Sequence, residues 1–428
     1  MERRCATTAR QCALYALLAL ACCAGGATAC TQIILGGKGA AYPDQMLSAR
    51  NMGFFVPANL GFDLVAVPKG TRLAQMPLRA GRALYAPAPT KHAFLCVGAS
   101  TKKLGAVIAT KTNDPAAAAA YGGICADGLN DAGLSAAWLW DSGNTLGGID
   151  LAPGAWDEKA ITYLDLTARI LGACDTTACA RAEAQRLTAV DSPFARGIVS
   201  SLIGDGYTYA TFHATFCDKA GGCIAVEWPK AGKAVVYDLP QGVLTNNPGV
   251  PAQVALYKQY MKGVSAAAAV GGAGAPVTPL LAWPGGVLRP RPANVSAAEA
   301  EPAARYTRMA MMMQLYGPVP YPTTSNHLSP GHYGNKLAAL SQITTIINYS
   351  AEVGAAPSTD LGGYEWPGQM SQFLSTRDHL AGDYYLRTAF NQNQHRFSVA
   401  KLAAGAKVKV ADLAALMPAA AYAQDVSF

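Results

Sequence analysis

The first 29 residues have the pattern of an export signal. Arginines at positions 3, 4 and 10 precede an apolar stretch from 13 to 24, and Ala27-Thr28-Ala29 is typical of a cleavage site. Cleavage there would make Cys30 the first residue of the mature chain. An apolar stretch of about a dozen residues is shorter than the roughly 20 that span a bilayer. We therefore expect a periplasmic or secreted protein that does not bind the membrane once the signal is removed.

Composition indicates a folded, weakly charged body. Apolar residues make up 51% of the 428 residues and charged residues 14%, which excludes a wholly disordered chain and a long charged coiled coil. The net charge of +7 is spread thinly, without basic runs interleaved with aromatic residues, so a nucleic-acid partner is not expected. We predict one domain over residues 30 to 428. Two loop-like insertions are expected within it, an Ala/Gly-rich one at 264 to 276 and a Pro/Ala-rich one at 284 to 301.

The cysteines of the mature chain indicate disulfides. Six follow Cys30, which is an even number, and export would place them in an oxidising compartment. Three pairs are plausible from spacing: Cys174 with Cys179, Cys217 with Cys223, and Cys96 with Cys125. Buried free cysteines are the alternative. A metal site is less favoured because no C-x-x-C pair occurs and the histidines lie elsewhere.

Hydrophobic periodicity predicts both strands and helices. Strand patterns occur at 31–35, 46–50, 62–67, 94–98, 105–109, 134–140, 207–217, 222–228 and 233–238. Helical spacing occurs at 156–172, 177–188 and 302–315. The two strands at 222–228 and 233–238 should form a hairpin through the turn at 229–232. This order predicts two or more sheet layers with helices outside them.

A cysteine at a new N-terminus has its own base. Its α-amine, with an ordinary pKa near 7.7 to 8.0, lies next to the thiol and can accept the thiol proton. A chain with no G-x-S-x-G motif could therefore still cleave an amide. Two other interpretations remain open. Cys30 could be the acylated residue of a lipoprotein, although such sites usually have Leu where this chain has Ala27, or it could be an incidental cysteine.

Seven short motifs follow one another along the mature chain. They are Cys-Thr at 30–31, Ala-Arg-Asn-Met at 49–52, Gly-Leu-Asn-Asp-Ala-Gly-Leu at 128–134, Val-Leu-Thr-Asn-Asn-Pro at 243–248, Ala-Arg-Tyr-Thr-Arg at 304–308, Ser-Thr-Arg-Asp at 375–378 and Tyr-Tyr-Leu-Arg-Thr at 384–388. In this order and spacing the chain resembles the choloylglycine hydrolase and penicillin V acylase family of N-terminal nucleophile hydrolases. The resemblance is strongest to exported bacterial members.

The resemblance implies an α+β fold, the four-layer αββα sandwich of N-terminal nucleophile hydrolases. It also implies hydrolysis of linear carboxamide bonds in small molecules such as penicillin V, conjugated bile salts or N-acyl homoserine lactones. No metal or organic cofactor is expected. Relatives assemble as tetramers, so the resemblance implies a homotetramer.

Five residues of this chain match functional positions of the family. The resemblance implies Cys30 as nucleophile, Arg50 beside its thiol, Asn246 as a donor to the oxyanion, Arg305 as a second arginine of the site, and Trp140 near the acyl pocket. The four residues other than Cys30 also have simpler interpretations. Arg50 could be an exposed arginine at a strand end, Asn246 an asparagine in a turn, Arg305 a charge on a helix surface and Trp140 a core aromatic residue.

One position departs from the family pattern. The family has Arg-x-x-Asp, and Gly53 stands here where the aspartate belongs. Glycine has no side chain to accept a proton or hold an ammonium, although Asp44 or Asp63 could approach the same space. The alternative function is therefore a catalytically weakened exported binding protein, or a lipoprotein, on the same fold.

Overall fold

The computed structural model describes most of the chain from Cys30 onward. The described residues are 30–36, 42, 44–53, 61–73, 75, 88–99, 125–141, 143–144, 146, 159–190, 192, 212–271, 297–316, 330–348, 350, 358–361, 364–366, 371–388 and 391–417. The predicted signal at 1–29 and the predicted strand at 105–109 lie outside them.

Two large antiparallel sheets dominate the described residues. The strands are β1 (Thr31–Gly36), β2 (Met46–Gly53), β3 (Phe62–Val67), β4 (Phe94–Ala99), β5 (Cys125–Asn130), β6 (Ser135–Trp140), β7 (Ala160–Thr162), β8 (Thr188–Val190), β9 (Phe212–Cys217), β10 (Cys223–Lys230), β11 (Lys233–Asp238), β12 (Val243–Thr245), β13 (Ser358–Leu361), β14 (Tyr364–Trp366), β15 (Ser371–Asp378), β16 (Asp383–Thr388), β17 (His395–Ser398) and β18 (Lys409–Asp412). The smaller sheet has the order β12-β1-β2-β15-β16-β17. The larger sheet has the order β18-β3-β4-β5-β6-β9-β10-β11-β8-β7, in which only the short β7–β8 pair is parallel. Strands β13 and β14 pair with each other.

Helices cover the outer faces of both sheets. They are α1 (Leu166–Ala173), α2 (Thr177–Arg186), α3 (Val250–Gly271), α4 (Ala297–Tyr316), α5 (Pro330–Asn348), α6 (Val399–Leu402) and α7 (Leu413–Leu416). Helices α4 and α5 pack on the smaller sheet, with α3 against α4, while α1 and α2 pack on the larger sheet. Gly128 of β5 allows α1 to approach, because a Cβ there would lie 2.7 Å from the Leu171 side chain. The layers are therefore helix, sheet, sheet, helix, as expected.

The alternation of side chains along β1 and β2 decides what lies between the sheets. Ile33 and Leu35 of β1 and Ala49 of β2 belong to the apolar cluster formed with α4 and α5. Gln32 and Arg50 are paired in the β1–β2 register and point to the opposite face, toward the larger sheet. Because successive side chains alternate across a strand, the gap between the sheets receives polar groups as well as apolar ones.

The structure contains the three disulfides expected from spacing. Cys96–Cys125 links neighbouring strands β4 and β5, Cys217–Cys223 closes the β9–β10 hairpin, and Cys174–Cys179 ties the end of α1 to α2. The predicted pairing is confirmed. Cys30 is the free cysteine among the described residues, and it is buried.

The strand predictions are largely confirmed where the chain is described, and the β10–β11 hairpin pairs as expected. The helix predicted for 156–172 begins only at Leu166. Residues Ala160–Thr162, two of which are β-branched, form strand β7 and pair with β8 instead.

The two predicted insertions are partly wrong. Residues 264–271 continue helix α3, since alanine has the highest intrinsic helix propensity, and residues 297–301 belong to α4. The rest of both segments lies outside the described residues. Among the residues that are described, no helix is long and apolar enough to cross a membrane.

Candidate active site

Cys30 lies immediately before β1, in the gap between the two sheets, and is 2% exposed. Its backbone nitrogen donates a hydrogen bond to Asn246 Oδ1 at 2.8 Å. Its sulfur lies 3.5 Å from the carbonyl oxygen of Gly53, which accepts from the thiol, and 3.7 Å from the sulfur of Met52. The thiol and the nitrogen of the same residue are thus held by separate partners.

Arg50 is fully buried beside this thiol. Its Nη2 lies 3.7 Å from the Cys30 sulfur. Its Nη1 donates to the carbonyl of Ala126 at 2.7 Å, and Nη2 also donates to the carbonyl of Trp138. The larger sheet therefore fixes the guanidinium next to the sulfur, where a positive charge favours the thiolate. An exposed strand-end arginine is excluded.

Asn246 reaches Cys30 because of the strand register. Thr31 of β1 pairs with Thr245 of β12, so the residue after β12 lies opposite the residue before β1. The Asn246 Oδ1 that accepts from Cys30 also accepts from Arg305 Nη2 at 3.0 Å, and Nδ2 donates to the carbonyl of Trp140 at 3.1 Å. Asn246 thus joins the nitrogen of Cys30, α4 and β6.

Arg305 and Trp140 enter the site in different ways. Arg305 is 1% exposed, so it is not a helix-surface charge. Trp140 takes part through its backbone carbonyl, while its ring packs edge-to-face on Phe212 with centroids 5.7 Å apart. The five residues suggested by the sequence therefore meet around Cys30. A role for the Trp140 ring in holding an acyl group stays a prediction.

The space of the missing aspartate is not filled by another carboxylate. Among the described residues, neither Asp44 nor Asp63 is a hydrogen-bond partner of Cys30. Asp44 lies in the exposed turn before β2, and Asp63 lies on β3 opposite Asp412 of β18. Neither aspartate therefore contacts Cys30, and the thiol faces the backbone oxygen of Gly53 instead.

A buried network centred on Asp127 supports Arg50. One carboxylate oxygen lies 3.6 Å from Arg50 Nη1 and 3.1 Å from Arg377 Nη1, and it accepts from the Ser375 hydroxyl at 3.1 Å. The other accepts from the Tyr384 hydroxyl at 2.5 Å. Burial lowers the pKa of Arg377 and raises that of Tyr384 well above its ordinary value. Asp127 directly precedes the 128–134 motif, but the sequence did not identify its partners.

A second polar group that the sequence did not reveal lies behind Asn246. It consists of Asp141, His213 and Glu227, all buried, with their ring nitrogen and carboxylate oxygens within 4.8 Å of one another. Such a group can hold a shared proton or an ion.

A cavity of about 210 Å³ lies elsewhere, between α1, α2 and the segment at 88–91. None of the residues that surround Cys30 lines it, so we do not assign it to the reaction.

Comparison with known proteins agrees with this site. The family of linear amide C-N hydrolases, choloylglycine hydrolase family, matches residues 30–284, which is more than half of the chain. A crystal structure of a mutant conjugated bile acid hydrolase from Clostridium perfringens is similar at 20% identity and a TM-score of 0.60, over 90% of this chain and 96% of that one. Penicillin V acylase from Agrobacterium tumefaciens is similar at 17% identity and a TM-score of 0.56, over 90% and 91% of the two chains. No curated protein matches.

The solved structures confirm the predicted fold of N-terminal nucleophile hydrolases. The family match begins at Cys30, the residue around which the buried groups converge. The chain therefore belongs to the choloylglycine hydrolase family of linear amide C-N hydrolases.

Proposed function

We propose that this protein is an exported amidohydrolase that cleaves linear carboxamides with Cys30 as an N-terminal nucleophile. The observation that carries the proposal is the convergence on one residue. The Cys30 thiol lies 3.7 Å from the Arg50 guanidinium, and the Cys30 nitrogen is bonded to Asn246 at 2.8 Å. The family match supports amide hydrolysis, and its start at residue 30 supports trimming of the leader before Cys30.

In this proposal the α-amine of the trimmed Cys30 accepts the thiol proton, and Asn246 Oδ1 orients that amine. The sulfur attacks the amide carbon, and a tetrahedral oxyanion forms. The Asn246 side-chain amide stabilises this oxyanion, a contact whose loss costs about 2.7 to 4 kcal/mol in comparable enzymes. The ammonium then protonates the leaving nitrogen and the C–N bond breaks. Water attacks the remaining thioester, releases the acid and returns the proton to the thiol.

The acyl group is proposed to be aromatic or fatty and to lie beside Trp140. Penicillin V carries an aromatic acyl group and N-acyl homoserine lactones a fatty one, while conjugated bile salts carry a large apolar steroid acyl group. The two similar structures are named for enzymes that act on conjugated bile acids and on penicillin V. Assembly as a homotetramer belongs to the same proposal. Gly53 favours one competing function, an exported binding protein with weak or no turnover, because no carboxylate of the described residues contacts the thiol.

The proposal is tested on protein produced with its native leader. Intact mass should show a chain starting at Cys30 with an unmodified amine, whereas an added diacylglyceryl group or a different start would overturn the mechanism. The purified protein should hydrolyse at least one of the three amides. Cys30→Ser should lower kcat/KM on the order of 10³-fold or more without loss of folding.

Thiol labelling supplies the control. Iodoacetamide should add one equivalent to the native protein and none to Cys30→Ser, because the other described cysteines are in disulfides. Slow labelling without turnover on any of the three amides would favour the binding protein instead.

A further inference from the structure

The polar group behind Asn246 is built from three adjacent strands of the larger sheet. Asp141 follows β6, His213 lies on β9 and Glu227 on β10, in the strand order β6-β9-β10. His213 is fully buried, and both carboxylates are at most 5% exposed. Buried charges at this depth are costly unless they pair with one another and are hydrogen-bonded.

The hydrogen bonds of His213 fix how many protons the group holds. Its Nε2 lies 2.7 Å from the carbonyl oxygen of Thr245, which can only accept, so Nε2 carries a hydrogen. Its Nδ1 lies 3.2 Å from a Glu227 oxygen and 3.6 Å from an Asp141 oxygen. Ionised carboxylates also only accept. A second proton must therefore lie between Nδ1 and the carboxylates.

The electrostatics agree with that count. Burial alone would lower the pKa of His213, but the hydrogen bond to Glu227 and the charge of Asp141 outweigh it and raise that pKa. Burial raises the pKa of Asp141. Tyr237 of β11 is a further titratable residue nearby, and burial together with the charge of Glu227 raises its pKa. Thr245 and Val250, which contact His213 and Glu227 from the other side, are uncharged.

The group holds both ends of the segment that carries Asn246. His213 binds the carbonyl of Thr245, and Glu227 accepts the N–H of Val250 at 2.7 Å, where α3 begins. Glu227 also packs on Gly249 so closely that a Cβ there would lie 2.8 Å from its carboxylate. Asp141 follows Trp140, whose carbonyl accepts from Asn246. His213 and Glu227 thus hold the backbone around Asn246, while Asp141 also accepts from the Gly143 N–H and the Asn144 side chain.

We propose that His213, kept as an imidazolium by Glu227 and Asp141, is a positioning residue that fixes Asn246 opposite the Cys30 amine. The expected change in kcat rests on the proposed function. The expected protonation state of His213 and the position of Asn246 do not. A neutral His213 has a single N–H, and the two carboxylates hold that hydrogen on Nδ1. The lone pair of Nε2 then faces the carbonyl oxygen of Thr245, which releases Thr245 and displaces Asn246. Because misplacement of about 1 Å can cost on the order of 10²-fold in rate, the effect appears mainly in kcat.

Two variants separate charge from size. His213→Gln removes the imidazolium, and we expect kcat to fall roughly 10- to 100-fold with KM nearly unchanged. Glu227→Gln keeps an oxygen for Val250 and offers an N–H to Nδ1 of a neutral His213, whose Nε2 then still donates to Thr245. This variant should therefore retain most of kcat and flatten the alkaline limb of the pH profile. His379→Gln is the matched control, since His379 is also fully buried but bonds Gly133 and Ser48, and it should keep kcat near neutral pH.

Nitrogen NMR of histidine-labelled protein tests the protonation state without any substrate. The His213 signals, assigned by their loss in His213→Gln, should show both ring nitrogens protonated at pH 7, and hydrogen exchange at residues 245–250 should speed up in that variant. This outcome stands even if no amide is hydrolysed, in which case only the proposed function fails. A neutral His213 ring, unchanged exchange and kcat in His213→Gln, or a stoichiometric metal ion bound to the native protein would each overturn the proposal.

Discussion

Removing the charge of Asp127 should destabilise the protein more than any other isosteric change near the site. Asp127 is fully buried, and it is the carboxylate that faces both Arg50 and Arg377, at 3.6 Å and 3.1 Å. Asp127→Asn keeps the size of the side chain but leaves two buried guanidinium groups without their shared counter-charge. Its new NH2 group also faces donors, because Ser375 and Tyr384 both donate to the present carboxylate.

The magnitude follows from this geometry. Breaking a buried ion pair by removing one partner costs roughly 3 to 5 kcal/mol. Since the Asn oxygen can still accept one hydrogen bond, we expect the lower end, about 3 kcal/mol. Arg50 keeps the carbonyls of Ala126 and Trp138, so folded Asp127→Asn should still label at Cys30.

The assay is urea unfolding followed by tryptophan fluorescence with the disulfides intact, analysed by linear extrapolation. Asp238→Asn is the matched control, because the Asp238 side chain is 82% exposed and its pair with Arg181 lies at the surface. That control should change the free energy of unfolding by less than about 1 kcal/mol. If Asp127→Asn also stayed within about 1 kcal/mol of the native protein, the central role of this carboxylate would be refuted.

Two further predictions concern stability. In the loop-closure model, the free energy of unfolding falls by about 3.6 kcal/mol when Cys96 and Cys125, 29 residues apart, are both replaced by Ala. It falls by about 2.2 kcal/mol when Cys217 and Cys223, 6 residues apart, are replaced. A larger loss for the second pair than for the first, measured by urea unfolding, would contradict the model. Burial lowers the pKa of His379 to about 4, so between its unfolded value near 6.5 and pH 4 the unfolded chain binds a proton that the folded chain does not. Stability should therefore fall by roughly 3 kcal/mol as pH drops through that window, and His379→Gln should flatten the slope; an unaltered slope would disprove the assignment.

The sequence located the residues that touch Cys30 but not the groups that hold them. Cys30, Arg50 and Asn246 lie within short motifs whose order and spacing can be recognised in the sequence. Arg377 and Tyr384 also lie within such motifs, but spacing alone does not show that they contact Asp127. Asp141, His213 and Glu227 belong to none of the motifs. Asp127 meets Arg377 across a separation of 250 residues, and only the pairing of two sheets brings them together.

Local composition also misled in both predicted insertions, of which the first is the clearer case. The run from 264 to 271 was predicted to be a loop because alanine and glycine are mixed there, yet it continues helix α3. Glycine lowers helix propensity by only about 1 kcal/mol relative to alanine. A helix already begun at Val250 and packed on α4 can extend through such a run. The alanines, which have the highest helix propensity, therefore outweigh the glycines in this run.

The strand that carries Arg50 has as its second neighbour a segment more than 300 residues further along the chain. β2 lies between β1 and β15, so residues 371–378 complete the sheet around it. During synthesis, Cys30, Arg50, Asn246 and Arg305 all leave the ribosome before β15 does, and β2 is until then an unpaired edge. The surroundings of the Cys30 thiol are therefore complete only after residues 371–378 have been made. A chain that stopped before them would carry Cys30 beside a sheet with an open edge.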